Sequence, residues 1–365
     1  MSVTTVSTAG TYDKGNVVQQ WSSKITREYI KEEEFSPWTG KNEGSVFHVK
    51  ADLTKKAGES VTFSLVGKLS GDGVEDDDTL EGSEENLGNY ADTVTVHQLR
   101  HAVIRGDHEQ SKTLIDILNE GRFMLKEWLM EKMRDLKIAR LLCPHLDGVT
   151  AYVTATEAEK DAHLLANSDR YLFGVLKSNQ SAGDHSASLL NVDTTADTLN
   201  RSIVSLAKRM MEEADPLIRP LKINGVRQHY VAFCDTYPHR DLKSDLDTIH
   251  AAAAPREKGM SNPIWRDDDL VFEDIVIRKV PAMASVGTVG AASAPVYQVA
   301  FCGAQAVLIA YAKYVKLVRN NGPYGRDYGN KKGVGVAETR GAKKTTWNEK
   351  QHGMLSCYVA SEADA

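Results

Sequence analysis

The sequence lacks most of the features by which secreted, membrane and metal-binding proteins are recognised. Its four cysteines, Cys143, Cys234, Cys302 and Cys357, are far apart among mostly apolar neighbours, and no CxxC motif occurs. This pattern predicts buried free thiols in a reducing compartment. No run approaches the roughly 20 apolar residues that span a bilayer, and the N-terminus lacks the basic and apolar regions of a secretory signal. We therefore expect no association with a membrane.

Positive charge is not in excess. The 365 residues include 44 Lys and Arg against 50 Asp and Glu, which gives a formal net charge of −6. A protein whose whole surface binds nucleic acid needs a basic footprint, so this class is disfavoured. The length exceeds that of one compact core, and two or more sub-domains are the default expectation.

Motifs for catalysis and cofactor binding are missing as well. The sequence has no GxxxxGK[ST], no GxGxxG that opens a helix and no GxSxG. The acids at 267–269 are best interpreted as a solvated turn between strands. His97 and His101 lie in strand-like alternation without a third ligand nearby, which favours surface histidines over a zinc site. We expect neither enzymatic activity nor a cofactor.

Residues 70–88, SGDGVEDDDTLEGSEENLG, hold eight carboxylates in their first sixteen positions and no basic residue. An EF-hand loop needs oxygen ligands at positions 1, 3, 5 and 12 and glycine at position 6. A loop that starts at Asp72 has Val74 at position 3, and one that starts at Asp76 has Leu80 at position 5. Neither register supplies the ligands, so the stretch does not predict a specific calcium site.

The segments around this stretch alternate with the period of strands. Apolar spacing predicts an amphipathic helix from about Lys14 to Glu34, and then SVFHVKADL (45–53) and ESVTFSLVG (59–67) alternate with period two. The alternation returns in YADTVTVHQLRHAVIRG (90–106). Strand, acidic tip and strand predict an extended two-stranded arm, which needs another surface to be stable.

A long helix is expected next. Asp107 is a suitable cap, with Gln110 completing a capping box, and an apolar stripe runs from Leu114 to Leu136. The helix should end near Leu142, giving a rod of roughly 50 Å.

The rest of the chain is mixed. We predict a turn-rich region over 144–193, a helix from Thr195 to Glu213, a strand over 229–237, an irregular loop over 251–269, a strand over 270–280, a buried helix over 296–314 and short closing strands.

Charge is distributed unevenly along the chain. Residues 69–99 hold nine acids and no Lys or Arg, whereas residues 313–350 hold ten Lys and Arg and three acids. Segments of opposite charge can be complementary within a molecule or between copies. Two separately solvated faces are the alternative that charge alone leaves open.

The order of these segments resembles the major capsid proteins of tailed bacteriophages with the Hong Kong 97-type fold. Residues 69–103, LSGDGVEDDDTLEGSEENLGNYADTVTVHQLRHAV, are similar to the loop of the phage N4-like branch, and so, less specifically, are VAFCDTYPHRDLKSD (231–245) and AFCGAQAVLIAYAK (300–313). The likeness covers about residues 15–360.

This resemblance implies an α+β fold in five parts. They are an N-terminal arm (1–52), an extended β-hairpin loop (53–105), a peripheral domain with a long spine helix (106–189), an axial domain (190–320) and the return strands of the peripheral domain (321–365). It implies a non-enzymatic protein that assembles as hexamers and pentamers into an icosahedral shell around phage double-stranded DNA.

The resemblance also implies partners. The arm begins almost at once, so a separate scaffolding protein is expected, together with a portal protein and an optional decoration protein. The packaged DNA would be held without sequence-specific binding. The protein would be assembled in the bacterial host cytoplasm and end in the virion capsid.

Within such a shell we expect the acidic loop to meet positive side chains of an adjacent subunit. The candidate inter-subunit contacts are Asp72, Glu75, Asp76, Asp77, Asp78, Glu81, Glu84, Glu85, Lys331, Lys332, Lys343 and Lys344. The alternatives are an encapsulin-like compartment shell, for which no cargo groove is evident, an acid-dependent hydrolase, which would need a pocket that raises a carboxylate pKa, and a calcium-binding module.

Overall fold

The computed structural model describes residues 34–51, 58–67, 69, 71, 73–76, 79, 81–82, 84–112, 115–223, 227–253, 270–283, 285–320, 327 and 330–361. The predicted helix over 14–34 and the predicted loop over 251–269 lie almost entirely outside these residues.

Six helices and sixteen strands lie in the described part of the chain. The helices are α1 (Asp107–Ser111), α2 (Ile117–Leu141), α3 (Glu157–Ala166), α4 (His185–Leu190), α5 (Arg201–Glu213) and α6 (Thr236–Ala253). The strands are β1 (Thr39–Gly40), β2 (Phe47–Lys50), β3 (Ser60–Val66), β4 (Asn89–Thr95), β5 (His97–Gly106), β6 (Tyr171–Phe173), β7 (Leu221–Ile223), β8 (Arg227–Cys234), β9 (Leu270–Phe272), β10 (Ile275–Lys279), β11 (Val296–Cys302), β12 (Val307–Asn320), β13 (Lys331–Lys344), β14 (Thr346–Trp347), β15 (Lys350–Gln351) and β16 (Met354–Ala360).

The long helix predicted from Asp107 is divided in two. α1 has five residues and α2 has 25, so the continuous rod is about 38 Å long rather than 50 Å. Gln110 bridges the interruption: its amide nitrogen donates to the Ile115 carbonyl at 2.7 Å, and its amide oxygen accepts from the Ile117 N–H at 3.3 Å. A side chain that satisfies backbone groups outside a helix competes with helix continuation.

The caps of these helices also differ from the prediction. Gly106, not Asp107, is the N-cap of α1, and the Glu109 carboxylate accepts from the Gly106 N–H at 3.4 Å. The predicted capping box of Asp107 and Gln110 is therefore wrong. Asp116 caps α2, since its carboxylate accepts from the N–H groups of the second and third residues of that helix.

The buried helix predicted over 296–314 is wrong, because the segment forms β11 and the first half of β12. All seven residues of β11 are buried. The strand pairs with β16 in antiparallel register from Val296↔Ala360 to Cys302↔Met354. A strand covered on both faces has a continuous apolar sequence, which periodicity cannot distinguish from a buried helix.

The single strand predicted over 270–280 is a hairpin. β9 and β10 pair antiparallel, with Phe272 opposite Ile275, and are joined by Glu273 and Asp274. Both joining residues have positive φ, 46° and 62°, as a two-residue type I′ turn requires. Acidic residues at these positions give a weak turn signal, and the sequence therefore predicts one strand instead of a hairpin.

A seven-stranded sheet forms the largest core. Its order is β6-β16-β11-β8-β10-β9, with β7 paired to β8. Ile203 and Met211 of α5 and Leu242 and Leu246 of α6 pack in one buried cluster with apolar residues of β8, β11 and β16. The predicted helix from Thr195 to Glu213 is confirmed from Arg201 onward, whereas α6 was not predicted.

Three further sheets complete the strand pairing. A five-stranded sheet has the order β1-β2-β12-β13-β5, in which β1 and β12 each pair parallel with β2. β3 and β4 form a separate antiparallel pair, and β14 pairs with β15. The strands predicted around the acidic stretch are thus confirmed.

The described residues form two compact units. The smaller unit consists of Leu99–Glu131 and Val315–Glu338, with a core of Leu118, Leu125, Leu129, Val334 and Val336. The larger unit consists of the described residues up to Gln98, of Lys132–Tyr314 and of those from Thr339. The five-part division stays a prediction.

All four cysteines are free and buried, as predicted. No helix in the described part of the chain is both long and apolar enough to cross a membrane.

Candidate assembly interface

The hairpin of β3 and β4, with the residues that join them, is the first candidate surface. Seven residue pairs run from Ser60↔Thr95 to Val66↔Asn89. At its root Val61, Phe63 and Val94 are buried and pack against apolar side chains of β12 and β14. Period-two alternation produces this arrangement, because every second side chain faces the same surface.

Farther from the root the hairpin exposes apolar side chains. Val66, Leu69, Leu87 and Tyr90 are 41–61% exposed. Several large apolar residues exposed on one element are typical of a surface that another molecule covers. The acids of this loop are evident from the sequence, but the exposure of these four residues is not, since alternation does not tell which part of a strand is covered.

The acidic residues of the loop are mostly solvent-exposed. Glu75, Asp76, Glu81, Glu84 and Glu85 are all exposed, while Asp72, Asp77 and Asp78 lie outside the described residues. Two carboxylates shape the loop: Glu85 accepts from the Gly71 N–H and Glu84 from the Gly82 N–H, both at 2.7 Å. In the described part of the chain no group of three or more His, Cys, Asp or Glu could hold a metal ion.

Lys331 and Lys332, at the start of β13, are the second candidate surface. Lys331 lies 3.6 Å from Asp327, and Lys332 lies 3.2 Å from Asp107. Both pairs are partly solvated, and such surface pairs contribute about 0–1 kcal/mol. Their ammonium groups therefore remain available to a stronger partner.

Lys344 does not belong to the candidate contacts. Its side chain is fully buried, and its ammonium donates to the Cys143 carbonyl at 2.7 Å within the same subunit. Burial lowers the pKa of Lys344 to about 8. The prediction that Lys344 meets an acidic loop is wrong. The distribution of charge along a sequence does not tell which lysine side chains are buried.

Lys343 also has a partner inside the subunit, and a buried one. Its ammonium forms an ion pair with Asp92, which is 4% exposed. Asp92 is one of the nine acids of segment 69–99, and the charge pattern does not distinguish it from the others. Its signal in the sequence is position: it stands two residues before Val94, on the face of β4 that alternation assigns to the core.

The end of β12 adds an exposed apolar stretch that sequence analysis missed. Tyr314, Val315, Leu317 and Val318 are 40–53% exposed and lie on either side of exposed Lys316. The apolar run at 296–314 predicts a buried helix. The sequence gives no signal for the change from buried to exposed residues along β12. This stretch combines apolar surface with positive charge.

His101 packs against an aromatic side chain. Its ring centroid lies 4.6 Å from that of Trp128 in the smaller unit.

Comparisons with known proteins show the family to which a chain with these surfaces belongs. Residues 9–362 match the family described as "Phage capsid protein". The chain belongs to this phage capsid family. A "Major capsid protein" of Pseudomonas phage KPP25 is 25% identical over 368 residues, which cover 93% of this chain and 94% of the relative.

Solved capsid structures share the fold. The "Cyanophage Pam1 capsid asymmetric unit" is 31% identical with a TM-score of 0.86, covering 96% of this chain and 98% of that one. The "Capsid of Ralstonia phage GP4" is 23% identical with a TM-score of 0.74 and full coverage of both chains. The expected α+β capsid fold is confirmed, and the family consists of structural proteins of the virion capsid, not enzymes. Placement in a phage N4-like branch stays a prediction.

Proposed function

We propose that this chain assembles as hexamers and pentamers into the closed icosahedral shell that encloses the double-stranded DNA of a tailed bacteriophage. The observation that carries the proposal is the family match over residues 9–362 together with 31% identity to a capsid subunit at a TM-score of 0.86. Closed shells need surfaces that complement each other between identical copies.

The two candidate surfaces have complementary chemistry. The hairpin combines carboxylates with exposed Leu69, Leu87 and Tyr90, and the end of β12 with the start of β13 combines lysines with exposed Leu317 and Val318. Apolar area supplies most of the free energy of association, and opposite charge selects the partner and register. A second copy of this chain offers both properties at once.

Within that contact we assign the acidic loop of one subunit to Lys331 and Lys332 of its neighbour. The acids are Asp72, Glu75, Asp76, Asp77, Asp78, Glu81, Glu84 and Glu85. Exposed ion pairs are individually weak and screened by salt. Weak contacts repeated over a closed lattice allow errors to be corrected during assembly and still give a stable shell.

The remaining partners follow from this role. A separate scaffolding protein, a portal protein and an optional decoration protein would complete the particle, which is assembled in the host cytoplasm. A net charge of −6 suits a container whose DNA must not adhere to the wall. Strong, salt-sensitive binding of double-stranded DNA by the purified subunit would contradict this part.

Sedimentation velocity over a wide concentration range tests the proposal. We expect the 40.2 kDa chain to convert into oligomers and shell-sized particles as its concentration rises or when a scaffolding protein is co-expressed. A single monomeric species under every condition would contradict it.

A further inference from the structure

The root of the β3–β4 hairpin contains one buried carboxylate. Asp92 occupies the inward-facing position of β4 that precedes buried Val94, and its cross-strand neighbour is buried Phe63. A carboxylate in a position otherwise occupied by apolar side chains is costly unless it is paired. Its presence there therefore requires a specific partner.

That partner comes from the far end of the chain. Lys343, 17% exposed and 251 residues away, forms an ion pair with one Asp92 carboxylate oxygen. The other carboxylate oxygen accepts from the Thr346 N–H at 3.4 Å. Separating the two charges of a buried ion pair is costly, because water cannot solvate either one. The pair therefore holds its geometry. The pair thus joins the hairpin to the end of β13 and to β14.

A second contact at the root is steric. A Cβ atom at Gly341 of β13 would overlap the carbonyl oxygen of Thr95, the last residue of β4. Only glycine lets the two backbones approach this closely. Gly341 lies two residues before Lys343, so the close approach and the ion pair hold the same part of the hairpin.

The other contacts of the root are mainly apolar, apart from an exposed hydrogen bond in which the Lys50 ammonium donates to the Thr62 carbonyl at 3.0 Å. Val61, Phe63 and Val94 pack with Leu308, Ala310 and Trp347. Apolar packing is non-directional and tolerates rotation of one surface over another. A hydrogen-bonded ion pair and a backbone contact are directional, and the angle between the hairpin and the rest of the larger unit depends on them.

We propose that Asp92, Lys343 and Gly341 form a latch that sets the direction of the β3–β4 hairpin, and that they are positioning residues for shell assembly. The consequence for the shell rests on the proposed function; the direction of the hairpin does not. A hairpin held at one angle presents its acidic and apolar tip to one place on a neighbour, and copies so held close into shells of one size.

The first test measures direction in the full-length, unassembled chain. Spin labels at Glu81→Cys in the loop and Ser202→Cys on α5 report the hairpin angle by electron–electron distance measurement, and the native thiols are buried. We expect one narrow distance distribution in the parent. Asp92→Asn and Lys343→Met should each make it roughly twofold broader, since either leaves one charge unpaired and the root free to rotate.

Three further variants separate the latch from general destabilisation. Lys343→Arg keeps the positive charge and should restore the narrow distribution. The double variant Asp92→Asn/Lys343→Met should be no broader than either single variant, because the two residues act through each other. Leu246→Ala, which opens a cavity in the core cluster of α6, lowers the melting temperature and should leave the distribution unchanged.

Failure of the latch is distinguishable from failure of the proposed function. Unchanged distributions in folded Asp92→Asn and Lys343→Met, or equal broadening in Leu246→Ala, would overturn the latch. If Asp92→Asn does not fold, the distance distributions of Gly341→Ala and Lys343→Met provide the same test of the latch. Among chains that assemble, electron microscopy should show shells of one size for the parent and Lys343→Arg and shells of mixed size for Lys343→Met. If Lys343→Met has a broadened distance distribution but forms shells of one size, the positioning role is overturned.

Discussion

Two histidines in the larger unit are buried without charge. His163 Nδ1 lies 2.8 Å from the Tyr171 hydroxyl, and His185 packs edge-on against Tyr171, Phe173 and Tyr358. Burial lowers the pKa of His163 to about 2 and that of His185 to about 4. Both rings are therefore neutral in the folded subunit at neutral pH.

The isolated subunit should lose stability as pH falls below about 6.5. Between pH 6.5 and 4 the unfolded chain binds a proton at His185 that the folded chain excludes, so the free energy of unfolding rises with pH in this window. The loss at pH 4 is about 3 kcal/mol for His185 alone. Denaturant unfolding at several pH values measures it.

A matched pair of variants assigns this effect. His185→Gln should reduce the proton uptake on unfolding near pH 5 by about one proton, because one titrating group is removed. His97→Gln, at an exposed position, should leave it unchanged. If the free energy of unfolding depends on pH equally in both variants, burial of His185 does not control the loss of stability in acid.

The turn between β14 and β15 provides a stabilising substitution. Asn348 and Glu349 have φ of 50° and 62°, and glycine adopts such values without steric cost. We expect Glu349→Gly to raise the free energy of unfolding by about 1 kcal/mol. Glu349→Ala retains the Cβ atom and should give no gain; if both variants gain equally in thermal unfolding, the backbone explanation is incorrect.

Single residues differ in how well their sequence context predicts them. Burial of the four cysteines could be predicted, because their neighbours are apolar and burial follows local composition. Burial of Lys344 could not, because a lysine in a basic segment is expected on the surface. Its carbonyl partner, Cys143, is about two hundred residues away, and pairings at such a distance have no local signal.

Among the elements, α2 holds the core of the smaller unit. Leu125 is 2% exposed and packs with Leu118, Leu129, Val334 and Val336. Leu125→Ala should lower the free energy of unfolding by about 2–5 kcal/mol, because it leaves a cavity.

Lys126, on the exposed face of α2, provides the control for this prediction. Lys126→Ala should change stability by less than about 0.5 kcal/mol. A loss for Lys126→Ala as large as that for Leu125→Ala, measured by chemical unfolding, would contradict the assignment of α2 faces.

The hairpin is the element on which the proposed subunit contact depends. Glu75→Lys/Glu81→Lys should slow assembly by about tenfold, since it halves the net negative charge of the loop and so weakens the attraction toward Lys331 and Lys332. The fold should be unaffected, because both acids are exposed. Light scattering follows assembly, and circular dichroism follows the fold.

The control carries the same change in net charge elsewhere. Glu212→Lys/Glu213→Lys alters two exposed acids at the end of α5 and should assemble at nearly the parent rate. If both double variants assemble equally well, the charge of the loop does not contribute to the contact.

Several elements with one covered face were predicted correctly, whereas apolar runs covered on both faces correctly predicted a strand for β8 and wrongly predicted a helix for β11. β3, β4 and α5 show alternation or helical spacing because one side meets water. β11 is buried on both sides, and its continuous apolar run fits a buried helix as well as a strand. The interruption between α1 and α2 was missed because it depends on the hydrogen bonds of one side chain, Gln110.

For the whole molecule, the segment order and the acidic loop sequence were sufficient to predict the fold and the capsid class. These two predictions are correct although several single elements were predicted wrongly, because a resemblance over most of the chain does not depend on any one element. The candidate interface was predicted only in outline. Charge along the chain indicated the acidic loop and the basic strands, whereas the exposed apolar residues and the Asp92–Lys343 pair depend on tertiary packing.

Cryo-electron microscopy of the concentrated protein, purified with and without a co-expressed scaffolding protein, tests the central claim most directly. We predict closed icosahedral shells of hexamers and pentamers in which the acidic hairpin of each subunit contacts Lys331 and Lys332 of a neighbour. Monomers at every concentration, with and without the scaffolding protein, would contradict the account.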